Sequence, residues 1–403
     1  MKVLFYNHTA QVSGAERVLL LLLARLNHRT FDRVVICPAD GPLKEMVGEL
    51  SVSCYEVDGL KARFTWRIDH LVRYLSSFWR LISQVRAHVR RVNPDLIHAN
   101  SVRAGLVATA ATIGLRLPVI WHVHDMLPRH PLSTAIRLVA LCSARTRIVA
   151  ISRAVAERFR GHVLRSTKAR ASITVIHNAV DLEKFYPDGV SRQKTRNDLK
   201  LSPTDQAIGI IGQITPRKGQ LPLLEAFALV LKQLPQAKLI VVGAPLFNRD
   251  ENYFRSLTER AQTLSIADQV RFLGAREEIP AITGALDLLV VNSLVEPFGL
   301  VVLEGMACGT PVLATAVDGI PEIIRHGDDG WLVPSGDKNA LAAAIVDLIN
   351  QAQLRAKLSA AALAKVRTQF TVERYIAAVE ESYAATCDKP AVREVQRVIV
   401  EST

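Results

Sequence analysis

Ala207-Ile208-Gly209-Ile210-Ile211-Gly212-Gln213-Ile214-Thr215-Pro216-Arg217-Lys218-Gly219 joins an apolar run to a glycine turn and two adjacent cations. The run 207–211 reads as a buried strand. Gly212 lets the backbone turn sharply, and Gly219 can open the next helix. Strand, turn and helix make one βα unit, and the chain repeats it. Apolar runs at 3–6, 34–37, 96–98, 119–123 and 148–151 read as buried parallel strands, with helical periodicity between them, as in 15–26 and 68–92. The rhythm restarts at 207–211 and continues at 238–242, 270–273, 286–291 and 311–314. Two series predict an α/β chain of two doubly wound parallel-sheet domains. The break is expected near 178–187, with the polar stretch 188–203 leading into the second series.

A chain of 403 residues is too long for one compact core. With 49% hydrophobic and 22% charged residues it is not a disordered chain, and 21 Gly and 18 Pro exclude a collagen-like one. The apolar run 18–24 is far short of a membrane span, and it follows Glu16 and Arg17, which makes it a poor signal-peptide core. The 5 cysteines form no metal-ligand or redox spacing, so buried structural thiols in a reducing, cytoplasmic compartment are expected.

The charge is unevenly placed. Residues 1–185 hold 27 Lys and Arg against 13 Asp and Glu, a net of +14, whereas residues 186–403 hold 23 against 25. A polyanion or an anionic membrane surface would explain that excess. Residues 61–93 interleave eight cations with Phe64, Trp66, Tyr74, Phe78 and Trp79, and 129–170 carry ten cations against Glu157. This pattern suits an anionic leaflet, which predicts a peripheral position on the inner face of the cell membrane. It also suits an ordinary amphipathic helix with a solvated basic face. Nucleic acid is not expected, because no recognition motif for it accompanies the charge.

Several motifs are absent: G-x-G, the Walker loop, Asp-x-Asp, H-E-x-x-H and G-x-S-x-G. Dehydrogenase and P-loop readings lose support, and no catalytic metal is expected. Four constellations remain. Arg217 and Lys218 follow a strand at the sheet edge where ligands bind in such folds, and could neutralise a phosphate. In Glu296-Pro297-Phe298-Gly299-Leu300-Val301-Val302-Leu303-Glu304 a tight loop opens a helix whose free amides attract phosphate. Glu296 lies before that start and Glu304 about two turns inside it, suited to bonding sugar or ribose hydroxyls. Gly14-Ala15-Glu16-Arg17 is another strand–Gly–helix turn. His98, His122 and His124 sit at strand ends; with Val123 between them, His122 and His124 are expected on opposite sheet faces, one only facing a ligand. Each constellation also has a plain structural reading as a solvated turn, an exposed acidic loop or a buried structural histidine.

Taken in order, Gly14-Ala15-Glu16-Arg17, Pro94-Asp95-Leu96-Ile97-His98, His124-Asp125, the run 175–185, the stretch 211–219 and the Glu296 to Glu304 pair within 296–315 resemble the retaining, nucleotide-sugar-dependent glycosyltransferases of family four. The resemblance covers about residues 1 to 385 and is strongest in the second half. It implies a GT-B fold: two Rossmann-like domains facing a cleft. These would be an acceptor-side domain 1–182 with a C-terminal helix near 371–385 packed back on it, a nucleotide-sugar-binding domain 186–370, and a tail 386–403. By motif position, Lys218 would grip the donor diphosphate, Glu304 the ribose, and Glu296 the sugar hydroxyls, with the amides of Phe298, Gly299 and Leu300 nearby. Gly14 would let its loop approach the diphosphate, His124 would lie by the transferred sugar, and Arg276 would fall near the base pocket. Gln213 stands where most relatives have Arg, and Ser13 where the first of two glycines is usual.

The expected function is retaining transfer of a hexose from a nucleoside-diphosphate sugar, without metal or other cofactor, to a glycan or lipid-linked acceptor. Bacterial cell-surface polysaccharide or glycolipid synthesis is the expected setting. The alternatives are another GT-B enzyme, such as a sugar-phosphate synthase or a nucleotide-sugar epimerase, or a non-catalytic nucleotide-sugar binder.

Overall fold

A computed structural model of the chain describes residues 1–59, 68–142, 145–161, 173–246 and 250–387, with the backbone alone for 68–74 and 141–142. It divides into two units: Met1–His177 with Glu373–Thr403, and Asn178–Val372.

The first unit is built on a seven-stranded parallel sheet of order β3-β2-β1-β4-β5-β6-β7. Its strands are β1 Lys2–Tyr6, β2 Asp32–Pro38, β3 Ser53–Val57, β4 Leu96–Ala99, β5 Val119–Val123, β6 Thr146–Ala150 and β7 Ile173–Val175. β4 and β5 are buried along their whole length, because crossover helices cover both faces of a parallel sheet. The helix Gly14–Arg25 follows β1, and Ser13 and Glu16 close its start as a capping box. The helix Val372–Cys387 belongs to this unit from Glu373 onward. Tyr383 stacks edge-on against Phe31 at 5.9 Å, and the Cys387 thiol reaches the Asp95 carbonyl.

The second unit carries a six-stranded parallel sheet of order β10-β9-β8-β11-β12-β13. These strands are β8 Gln206–Ile211, β9 Ala237–Val242, β10 Val270–Gly274, β11 Leu288–Val291, β12 Val312–Thr315 and β13 Trp331–Val333. Residues 178–185 go with this unit, where the Val180 amide donates to the Phe370 carbonyl. The polar stretch leading into the second series carries a helix, Gly189–Asp198, before β8. Its composition hides this because it has almost no apolar face. Ion pairs do the anchoring, Arg192 to Asp287 at 2.5 Å and Arg196 to Asp287 at 3.1 Å.

In both sheets the strand order reverses once, between β1 and β4 and between β8 and β11. Ligands of open α/β sheets bind outside the carboxyl ends of the strands at that reversal. Among the described residues no helix is long and apolar enough to cross a membrane. The expected tail lies outside the described residues from 388 on, as do residues 61–67 and 162–170 of the basic stretches.

Candidate functional site

At the reversal of the second unit, the chain leaves β8 through Gly212 and reaches the short 3-10 turn Pro216–Lys218. Gly219 closes the turn at φ 68°, and a Cβ there would lie 2.0 Å from the Asn292 carbonyl oxygen. The Asn292 side-chain amide donates to the Gly219 carbonyl. Only glycine fits that approach, so the loop after β8 is locked to the loop after β11. The Leu294 amide donates to the Arg217 carbonyl and adds a second tie.

This lock fixes the geometry of Lys218 and Glu296. Lys218 Nζ donates to Glu296 Oε2 at 2.5 Å, and the Ser293 hydroxyl donates to the same oxygen at 2.9 Å. The side chains are 17% and 8% exposed. The Glu296 amide donates to Asp318 Oδ2. Gly299, at φ 108°, then opens the helix Leu300–Ala307. The Val302 amide donates to the Gly299 carbonyl, while those of Leu300 and Val301 have no helical carbonyl one turn back and form a donor set just after Glu296 in the chain. Glu304 lies one turn inside this helix rather than two, because the helix starts at Leu300 and not earlier in the loop. Phe298 is buried 6.3 Å from the Phe370 ring.

Gln213 and Arg217 lie half-buried in the same loop, and the Gln213 carbonyl accepts from the Gln220 side chain. Arg276 follows β10 at the sheet edge, two strands from β8, and its ion partner is Glu278 at 3.6 Å. Two concave surfaces of about 370 and 360 Å³ lie at the opposite, amino-terminal edge of the sheet. They share Arg192 and Arg355, whose guanidiniums are spent on backbone carbonyls and on Asp287.

At the reversal of the first unit, His122 and His124 lie on the same side of the sheet with ring centroids 4.1 Å apart. The expectation of opposite faces fails because side chains alternate, so positions two apart share a face. His98, on β4, joins them: its Nε2 is 3.2 Å from His122 Nδ1, and its Nδ1 is 2.7 Å from the Tyr383 hydroxyl. Burial pushes His124 down to about 3, and burial with the nearby His124 does the same for His98. His122 is lowered for the same reasons. All three imidazoles are therefore neutral at pH 7.

Gly14 is exposed at the first position of its helix. Ser13 takes an extended φ of −127°, which any residue adopts, and its hydroxyl turns back to Glu16 at 2.5 Å. Sequence reasoning missed Asn7, Asn100, Asn292, Ser293 and Asp318 as participants. One signal could have found the first four: each is a polar residue directly following a buried strand, or one place beyond, at a reversal of strand order. Among the described residues no group of three or more His, Cys, Asp and Glu is placed to hold a metal ion.

The family model of Glycosyl transferases group 1 matches residues 191–365, and that of Glycosyltransferase Family 4 matches residues 12–184. A D-inositol 3-phosphate glycosyltransferase of Streptomyces scabiei is 30% identical over 337 residues, 79% of this chain and 74% of that one. Its counterpart in Mycobacterium marinum is 37% identical over 220 residues, 53% of this chain and 45% of the relative, so that match spans under half of the relative's length. The HepE protein of Anabaena, solved with UDP and glucose, superposes with a TM-score of 0.82 at 27% identity, covering 95% of this chain and 99% of that one. The chain belongs to the GT-B glycosyltransferases of group 1 and family four.

Proposed function

We propose that the chain transfers a hexose from a nucleoside-diphosphate sugar to an acceptor hydroxyl, with retention at the anomeric carbon. The observation that carries this is the Lys218–Glu296 pair, held beside a helix start where the strand order reverses. Lys218 grips the diphosphate, Arg217 adds a second cation in place of the arginine that Gln213 replaces, and the amides of Phe298, Gly299 and Leu300 complete the donor set. Glu304 takes the ribose and Glu296 the sugar hydroxyls. Gly14, His124 and Arg276 take their family roles at the diphosphate, the sugar and the base.

In the reaction the C1–O bond to the diphosphate breaks and a C1–O bond to the acceptor forms on the same face. The acceptor proton passes to an oxygen of the departing phosphate. Charge developing on that phosphate is met by Lys218 and the helix amides, which are fixed before the reaction starts. Such groups take the place a metal would fill, in keeping with the missing Asp-x-Asp pair. The Anabaena relative's UDP-glucose complex makes UDP-glucose the first donor to test. In ligand-detected NMR with UDP-, GDP- and ADP-sugars we expect one nucleotide class to bind and to turn over. Binding with no turnover on any acceptor tried points to a carrier, and no binding by any of the three removes the donor site.

The acceptor is a glycan or a lipid-linked sugar or phosphate, presented at an anionic membrane surface in cell-surface glycan synthesis. Exposed apolar side chains on the basic unit support this: Trp79 is 65% exposed, and the helix Pro131–Cys142 exposes Leu132, Leu138 and Val139 while burying Arg137 against the Phe159 and Arg158 carbonyls. Vesicle co-sedimentation should rise with anionic lipid and fall with salt. A second reading, a soluble phosphorylated acceptor, is favoured by the relatives named for D-inositol 3-phosphate. Sedimentation that ignores lipid charge selects it over the membrane.

A further inference from the structure

The hydroxyl of Ser13 and the imidazole of His124 lie at two ends of one buried hydrogen-bond chain in the first unit. His124 Nε2 is 3.0 Å from Asn100 Oδ1, and Asn100 Nδ2 donates to Asn7 Oδ1 at 3.0 Å. Asn7 Nδ2 donates to Glu16 Oε1 at 3.2 Å, while Glu16 Oε2 accepts from the Ser13 amide at 3.0 Å and the Ser13 hydroxyl at 2.5 Å. Glu16, Asn7 and Asn100 are all at most 2% exposed.

The direction of this chain is fixed at every link. The two hydrogens of Asn7 Nδ2 go to Glu16 and to the Thr9 carbonyl at 2.6 Å. Those of Asn100 Nδ2 go to Asn7 and to the Ala15 carbonyl at 3.3 Å. Carbonyl oxygens cannot donate, so neither amide can flip without setting oxygen against oxygen. Asn100 Oδ1 must therefore face His124, and an oxygen there needs a hydrogen on Nε2. A neutral imidazole carries one hydrogen, which leaves Nδ1 with a lone pair.

We propose that Glu16, acting through Asn7 and Asn100, is a positioning residue that holds His124 in its Nε2–H tautomer, so that the ring meets a ligand only as an acceptor, at Nδ1. Such an acceptor takes a hydroxyl and rejects a phosphate oxygen. That the hydroxyl belongs to the transferred sugar rests on the functional reading above; the tautomer does not. Ser13, the departure from the usual glycine, adds a donor to Glu16 and so ties the loop before the first helix to the same chain. Burial, which keeps the ring neutral, is what makes the tautomer meaningful at pH 7.

The test is a long-range proton–nitrogen correlation spectrum of the full chain labelled with nitrogen-15 histidine, with the His124 signals assigned by their loss in His124→Gln. In the unsubstituted protein at pH 7 we expect a protonated Nε2 and an unprotonated Nδ1. In Asn100→Ala the preference should weaken to a mixture, and Ser13→Gly should leave it in place because three links remain. An Nδ1–H tautomer or an imidazolium in the unsubstituted protein overturns the proposal. So does an unchanged Nε2–H signature in a folded Asn100→Ala variant. Should Asn100→Ala fail to fold, the unsubstituted spectrum alone decides. None of these readings depends on turnover, so loss of the glycosyltransfer reading leaves this one standing or falling by itself.

Discussion

Replacing Lys218 by alanine should lower turnover with the nucleotide sugar by about 10²- to 10³-fold, the usual loss when one fixed donor to a developing anion is removed. The loss has two sources. One is the missing cation beside the leaving phosphate. The other is Glu296, whose carboxylate is only 8% exposed and would keep the Ser293 hydroxyl but no cation. A diphosphate arriving beside it meets a like charge. The double variant Lys218→Ala with Glu296→Gln should therefore bind the nucleotide more tightly than Lys218→Ala alone. It should not recover turnover, since Glu296 is also assigned to the sugar. Removing Lys218 breaks a largely buried ion pair, so a stability cost of about 1–3 kcal/mol should accompany the kinetic one. Turnover, nucleotide affinity and thermal midpoint measured on the three variants separate these effects. Near-normal turnover in Lys218→Ala would remove the diphosphate role.

Acid should unfold the first unit before the second. Between the ordinary imidazole value of 6.5 and about 3, an unfolded chain takes up protons on His98 and His124 that the native core refuses, and on the similarly lowered His122. The unfolded state binds more protons there, so stability is complete above pH 6.5 and is lost as pH falls. At pH 5 His98 and His124 each cost roughly 2 kcal/mol, together a large share of the stability of many domains, and His122 acts in the same direction. The second unit contains a single histidine, His326. Hydrogen exchange followed by peptide mass at pH 7 and pH 5 should show protection lost at 119–123 and kept at 288–291. Equal loss in both regions would contradict the imidazole explanation.

The strands at the centre of both sheets were legible because burial on two faces demands continuous apolar runs. Those that left no such signal are β3, β7 and β13, all at or beside a sheet edge. β3 exposes Ser53 and Glu56, and the other two are three residues long. Edge strands need only one neighbour, so their sequences carry less of the pattern. The same logic governs the candidate site. Lys218 and Glu296 stood out because each follows an apolar run within a glycine- or proline-bearing loop. Nothing in the sequence tied Asp318 to Glu296, because that tie depends on where two loops meet, whereas Ser293 lies three residues before Glu296 in one loop and was marked only by its place after β11. Asn7 and Asn100 are single polar residues separated by 93 positions, and only the pairing of β1 with β4 brings them to 3.0 Å.

In the proposed function the loop after β8 and the helix start at Leu300 together hold the leaving nucleoside diphosphate. The most direct measurement is a crystal structure of the full chain with the nucleoside diphosphate selected by the donor screen. Phosphate oxygens are expected within about 3 Å of Lys218 Nζ and of the amides around Gly299, with the ribose hydroxyls at Glu304. Nucleotide density confined to the opposite edge of that sheet, beside Arg192 and Arg355, would contradict it.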